Sequence, residues 1–185
     1  LENNDIPGLD EDLKTRFLAE SLFIRAHYFY HLVQQFGDIP MPLKPTNSVE
    51  TTAHKTKVDE VWNQIVTDLE FAVENLPETY QASEFGHITK YAAMHHLSRV
   101  YLTLKRSDDD LKKALNYAEQ VINSGKYSLV KSHAELWDIN NKNNSEVLFS
   151  VLYTQNAELN GDGNTAHMYF CSADLGAVSV LLILQ

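Results

Sequence analysis

The sequence predicts a mainly α-helical fold built from antiparallel helix pairs. Three observations predict it. Four segments repeat apolar residues every three or four positions, start and stop signals bracket them, and small-residue pairs within them suit close helix packing. The first segment, 13–36, carries Leu13, Phe17, Leu22, Ala26, Phe29, Val33 and Phe36. It stops at Phe36-Gly37-Asp38-Ile39-Pro40, where glycine permits a positive φ, Asp38 can satisfy backbone donors and Pro40 prevents the helix resuming. The second, 58–76, places Val58, Val61, Trp62, Ile65, Leu69, Ala72, Val73 and Leu76 on one stripe before Pro77. The third, 89–105, presents Ala92, Ala93, His96, Leu97, Val100, Tyr101 and Leu104. The fourth, 109–124, presents Leu111, Ala114, Leu115, Ala118, Val121 and Ile122, after a Ser107-Asp108-Asp109 cap and before Gly125.

The third and fourth segments, joined by a tight turn, look like a tetratricopeptide repeat. Alanines at 92, 93, 114 and 118 let two backbones approach while larger side chains fill the groove. The first two segments form a second pair with a long insertion, 37–57, in its turn. Trp62, Leu69, Leu97, Val100, Tyr101, Leu115, Ala118 and Ile122 are the expected core. Two pairs are fewer than a free-standing solenoid needs, so something else is expected to cover the ends. Past Gly125 the pattern changes: Glu146 to Tyr153 is a short β-rich apolar run, read as a buried strand or an extended segment.

At 185 residues and 44% apolar, the chain can bury a real core. A formal charge of −10 argues against nucleic acid or an anionic membrane surface as partner. Lone Cys171 cannot form an internal disulfide. The longest near-apolar run, 176–184, is too short to span a bilayer as a helix.

Catalytic and metal signatures are weak. Every position from His27 to His31 carries a ring, and the two imidazoles share a helix face at i, i+4. Tyr28 stands where a zinc-protease helix needs Glu, and no further ligand follows, so an aromatic packing face is expected and no metal. His95 and His96 are adjacent, cannot converge on one ion, and are read as packing or surface residues. No nucleophile elbow, phosphate loop or calcium loop is present, and no cofactor is implied. Arg25 lies within apolar helix sequence and, if buried, needs a carboxylate; Glu20 and Asp38 are the candidates.

RFLAESLFIRAHYFYHLVQQFGDIPMPL resembles the most recognisable stretch of the SusD/RagB-like outer-membrane nutrient-binding lipoproteins. The matching residues are Glu20, Phe23, Ile24, Arg25, Ala26, Phe29, Phe36, Gly37, Asp38, Ile39 and Pro40. VWNQIVTDLEFAVENLP, GHITKYAAMHHLSRVYL, ALNYAEQVINSGKYSL and NNSEVLFSVLY follow in family order, so the resemblance spans roughly residues 12–170. Three departures stand out. Gly86-His87 replaces Gly-Arg, with the expected loss of any ion pair that arginine makes; Ser21 replaces alanine; and the run after Phe170 leaves the pattern.

The resemblance implies an α/α superhelical SusD-like scaffold with irregular and short extended segments. Residues 1–185 are expected to be a fragment of one such domain, with a repeat core at about 13–124, a loop and extended region at about 125–170 and an atypical tail at 171–185. The signal peptide and lipid-bearing cysteine that the family carries are missing from LENNDIPGLDEDL, so membrane attachment would rest on an anchor outside this sequence. The implied function is non-enzymatic binding of oligosaccharide or another nutrient at the cell surface and its delivery to a SusC-like TonB-dependent transporter. Within this sequence the best place for sugar contacts is the loop 156–169, from Asn160 and Asn164 with His167 and Tyr169 as flat faces; the alternative is a solvated loop joining Glu146–Tyr153 to the next element. The competing reading is an intracellular tetratricopeptide-type adaptor for a peptide. A hydrolase would need two carboxylates across a cleft, and the sequence names no such pair.

Overall fold

A computed structural model of the chain describes residues 8–45, 52–138 and 140–151. The order is α1 (Glu11–Phe36), α2 (Val58–Asn75), a 3-10 turn (Ala82–Glu84), α3 (Lys90–Leu104), α4 (Asp108–Asn123) and a single turn, α5 (His133–Leu136). Helices pack on their sequence neighbours, α1 on α2, α2 on α3 and α3 on α4, with α1 also touching α3. These are the two predicted pairs, laid side by side. No extended strand occurs among the described residues; Leu148 and Phe149 reach the core from irregular backbone.

Local chemistry explains each boundary. Gly37 ends α1 at φ 67°, a left-handed value that costs other residues energy, and its N–H closes on the Val33 carbonyl. Asp38 then reaches forward, its Oδ1 accepting from the Val58 N–H at 3.0 Å and its Oδ2 from Lys57 Nζ at 2.9 Å. Asp38 therefore caps α2 across twenty residues of chain, where Lys57, at the N-cap itself, supplies no side-chain bond. Ile39 is buried and pairs with Thr56 in one antiparallel bridge, which closes the long connection at its base. Thr89 and Ser107 cap α3 and α4 through the Ala92 and Asp110 amides.

The core lies between the helices. Val61, Ile65, Leu69, Ala93, Leu97 and Val100 are wholly buried, and Trp62 and Tyr101 are nearly so. Ser98 donates to the Ala114 carbonyl at 2.7 Å, which brings α3 and α4 backbones close where the alanines allow it. One expectation fails here. Leu115 is 59% exposed and Ile122 73%, and Ala118 is only half-buried, because α4 turns Ala114 and Val121 inward and leaves the other half of its apolar stripe bare. The stripe is wider than one neighbouring helix can cover.

Arg25 is also partnered differently from the expectation. Its Nε and a terminal nitrogen each donate to Asp68 of α2 at 2.7 Å, in a bidentate pair, and Gln64 adds a third bond to the same carboxylate at 2.7 Å. Asp68 is 2% exposed. Glu20 and Asp38 are engaged elsewhere, with Tyr80 and His87 and with the α2 terminus respectively.

Asp68→Asn should lower stability by about 2 kcal/mol in urea unfolding, below the cost of breaking a fully buried pair because Arg25 still reaches solvent. An unchanged midpoint would show that the pair stabilises nothing. Leu97→Ala should cost about 3 kcal/mol through its cavity, whereas Leu115→Ser should stay within about 0.5 kcal/mol. Equal losses at the two positions would contradict the assigned faces.

Candidate functional site

The ring run of α1 divides between two faces. Tyr30 points inward, edge-on to Trp62 at 5.8 Å and to His96 at 5.0 Å, with its hydroxyl 3.2 Å from Thr103 Oγ1. His27 contacts His31 at 4.6 Å and His96 at 5.4 Å, and lies parallel to Phe23 at 6.4 Å. Phe149, arriving from the 143–151 segment, packs edge-on against Phe23 at 5.3 Å. Tyr28 and Phe36 face outward. Burial pushes the His27 imidazole down to about 4, helped by His31 and Arg99. Burial likewise pushes His96 down to about 3, with His27 and Arg99 adding to it. Among the described residues, no group of three or more His, Cys, Asp or Glu side chains is placed to hold a metal ion. These imidazoles act as packing rings.

A polar network joins α1 to the 78–89 connection. Glu20 accepts from the Tyr80 hydroxyl at 2.9 Å and lies 3.0 Å and 3.1 Å from His87 Nδ1 through its two oxygens. His87 stacks on Tyr80 at 5.3 Å, and the Arg16 guanidinium covers the Tyr80 ring at 5.4 Å while pairing with Glu84 at 3.4 Å. Burial, then the bond to Glu20, raises the Tyr80 phenol well above its ordinary value, so it stays a donor. At the Gly86-His87 departure, His87 contacts an α1 carboxylate, Glu20, directly.

Above this network lies a cleft of about 360 Å³, lined by the 78–89 connection, by Lys126 and Tyr127, and by 143–150. Tyr80, Phe85, His87, Tyr127 and Phe149 give it rings. Tyr127 is fixed edge-on to Tyr91 at 6.0 Å, with its hydroxyl 3.2 Å from Thr89 Oγ1. Asn144 is consumed by structure, donating to the Asn141 carbonyl and accepting from the Glu146 amide, each at 3.0 Å. Ser145 is tied to Ser128. A shallower apolar trough of about 870 Å³, bordered by Phe17, Ile24, Tyr28, Phe85 and Val151, continues from it along the outer face of α1. Rings held rigidly beside amides and hydroxyls suit a flat, hydroxylated ligand.

Sequence reasoning missed this cleft, because three separated segments build it. The available signal was the clustering of Tyr80, Phe85 and His87 around Gly86, which was read only as a departure from a pattern. The residues expected to touch sugar, Asn160, Asn164, His167 and Tyr169, lie outside the described residues, as does the whole loop 156–169.

A family model described as "Starch-binding associating with outer membrane" matches residues 5–102. A SusD-like protein, P2, of Formosa agariphila is 35% identical over 126 residues, which is 67% of this chain and 24% of that protein. A laminarin-binding SusD-like protein superposes with a TM-score of 0.72 at 30% identity, covering 81% of this chain and 33% of that one. A structure with xylogluco-oligosaccharide gives 0.73 at 26%, covering 79% and 31%. The chain spans 24% to 28% of the length of its sequence relatives. No helix among the described residues is long and apolar enough to cross a membrane.

The imidazole cluster predicts an acid dependence. An unfolded-chain imidazole titrates near 6.5, whereas folded His27 titrates near 4 and His96 near 3. As pH falls through 6.5 the unfolded chain takes up protons first, so stability is full above 6.5 and declines down to about 3. Urea midpoints measured across that window should fall, and His96→Phe should flatten the decline. A midpoint indifferent to pH there would contradict burial of these rings.

Proposed function

The chain belongs to the SusD-like family, and from that membership we propose a non-enzymatic saccharide-binding role at the outer-membrane surface. In this reading the protein holds an oligosaccharide and presents it to a SusC-like TonB-dependent transporter. In this reading attachment to the membrane is through a lipid anchor. The observation that carries the reading is the family match over α1, α2 and α3, the helices that position the ring-lined cleft. Laminarin and a xylogluco-oligosaccharide are ligands named for structures that share this scaffold, and both are rich in hydroxyls and sugar C–H faces.

Binding of this kind asks for flat rings against the sugar and short polar side chains on its hydroxyls, without proton transfer. Phe85 and Tyr127 meet the first need, and Asn143 the second. The helix pairs supply rigidity and an extended outer surface for the transporter. Residues 13–124 form the repeat core of a single domain in this reading, and Asn160, Asn164, His167 and Tyr169 are further contacts beyond the cleft.

Titration calorimetry with laminari-, xylogluco- and malto-oligosaccharides tests the role, together with an assay for newly released reducing ends. One of the three should bind with no turnover. Phe85→Ala, at an exposed ring, should weaken that binding about tenfold while the melting temperature holds. Hydrolysis abolished by a single Glu→Gln change would establish an enzyme instead.

A further inference from the structure

We infer, resting on the saccharide-binding reading, that the cleft between the 78–89 connection and residues 126–150 selects uncharged saccharides and disfavours carboxylated ones. The basis is how the lining divides its polar groups. Its charged members are largely spent on the protein, and its neutral members are left available.

Arg16, the guanidinium behind the cleft, is held by Glu84 at 3.4 Å and Glu20 at 4.0 Å and sits over the Tyr80 ring at 5.4 Å. His87 is turned onto both oxygens of Glu20, at 3.0 Å and 3.1 Å. Glu78 is engaged with the Tyr91 hydroxyl. That leaves Lys126 as the cation among the described lining residues without a carboxylate partner, facing a lining that also carries Glu78 and Glu84. Recognition of a carboxylate or sulfate favours a free guanidinium fork or several converging cations, and a solvated lysine beside two carboxylates offers neither. The chain's net charge of −10 adds long-range repulsion toward an anion.

Thr79, Gln81 and Asn143 also line the cleft, all three exposed, and their side chains make no hydrogen bond within the described protein. Together they offer hydroxyl and amide groups that both donate and accept. Sugar hydroxyls, which do the same, match such a set without bringing charge. The rings of Phe85 and Tyr127 supply apolar surface beside them. Neutral partners free and charged partners paired is the arrangement an uncharged, hydroxyl-rich ligand requires.

The test uses the full chain and matched pairs of laminari-, xylogluco- and malto-oligosaccharides, each pair differing only in oxidation of C6 hydroxymethyl groups to carboxylates. In the pair that binds, the uncharged member should bind at least about tenfold more tightly at low salt, and added salt should narrow the gap. Asn143→Lys, which adds a second cation to the lining, should raise affinity for the carboxylated member while the uncharged one, losing an amide contact, gains nothing. Equal or tighter binding of the carboxylated member by the unaltered protein would overturn this inference while leaving saccharide binding intact. So would an Asn143→Lys protein of unchanged preference, since selection would then arise away from this cleft. Failure of every oligosaccharide to bind removes the saccharide-binding reading and this inference with it.

Discussion

The bidentate pair between Arg25 and Asp68 is the constraint on which the rest of the arrangement depends. It joins α1 to α2 in the middle of an apolar interface, where Asp68 is 2% exposed and receives three hydrogen bonds from Arg25 and Gln64. Burying a carboxylate is expensive, and the pair returns little net stability over an apolar replacement. Its effect is on register. Sliding α1 by one turn, about 5.4 Å, would leave Asp68 buried and unpaired, an outcome far costlier than the apolar repacking around it. Asp38 fixes the other end of the same interface by capping α2, and the Ile39–Thr56 bridge closes the connection beneath it. With α1 so fixed, Glu20, Phe23 and His27 have set positions, and the 78–89 connection and Phe149 are placed against them.

The helices were legible because each carries its own local instructions. Gly37, Thr89, Ser107 and Gly125 sit where backbone groups run out of partners, and the boundaries fall within about two residues of the periodic segments. Arg25's partner was not legible. Glu20 and Asp38 are near it in sequence, but Glu20 lies five residues back, off the face that Arg25 shares, and the true partner is forty-three residues away on another helix. Spacing shows that a buried cation needs an anion and cannot choose among distant ones. The α4 stripe fails for a related reason: periodicity gives the width of an apolar face, and Leu115 and Ile122 belong to it as properly as Ala114 and Val121 do. Only the packing shows which half α3 covers.

The cleft adds a third kind of illegibility. Its walls come from segments that are irregular, so no period marks them, and they are brought together by Tyr127 on Tyr91, Phe149 on Phe23 and the bonds between Ser128 and Ser145. At position 87 the histidine reaches the Glu20 carboxylate and adds a flat ring stacked on Tyr80, a pairing that no periodic pattern marks.

The exposed apolar residues obey the same division of labour. Tyr28 and Phe36 on α1, Leu102 on α3, and Leu115 and Ile122 on α4 stand outside the core that the four helices share. None of them is needed to hold the helix pairs together, because the wholly buried set from Val61 to Val100 already does so. Tyr28 and Phe36 lie on the first helix of the stack and Leu115 and Ile122 on the last, the two helices that sequence-adjacent packing covers least. In a stacked architecture such faces are where further elements add, and the chain covers only 24% to 28% of its relatives' length. A net charge of −10 opposes indiscriminate association through those faces. The cleft differs from them in kind. Its rings are interleaved with amides, hydroxyls and paired charges, so covering it with a purely apolar element would strand polar groups, and a hydroxyl-bearing ligand would not.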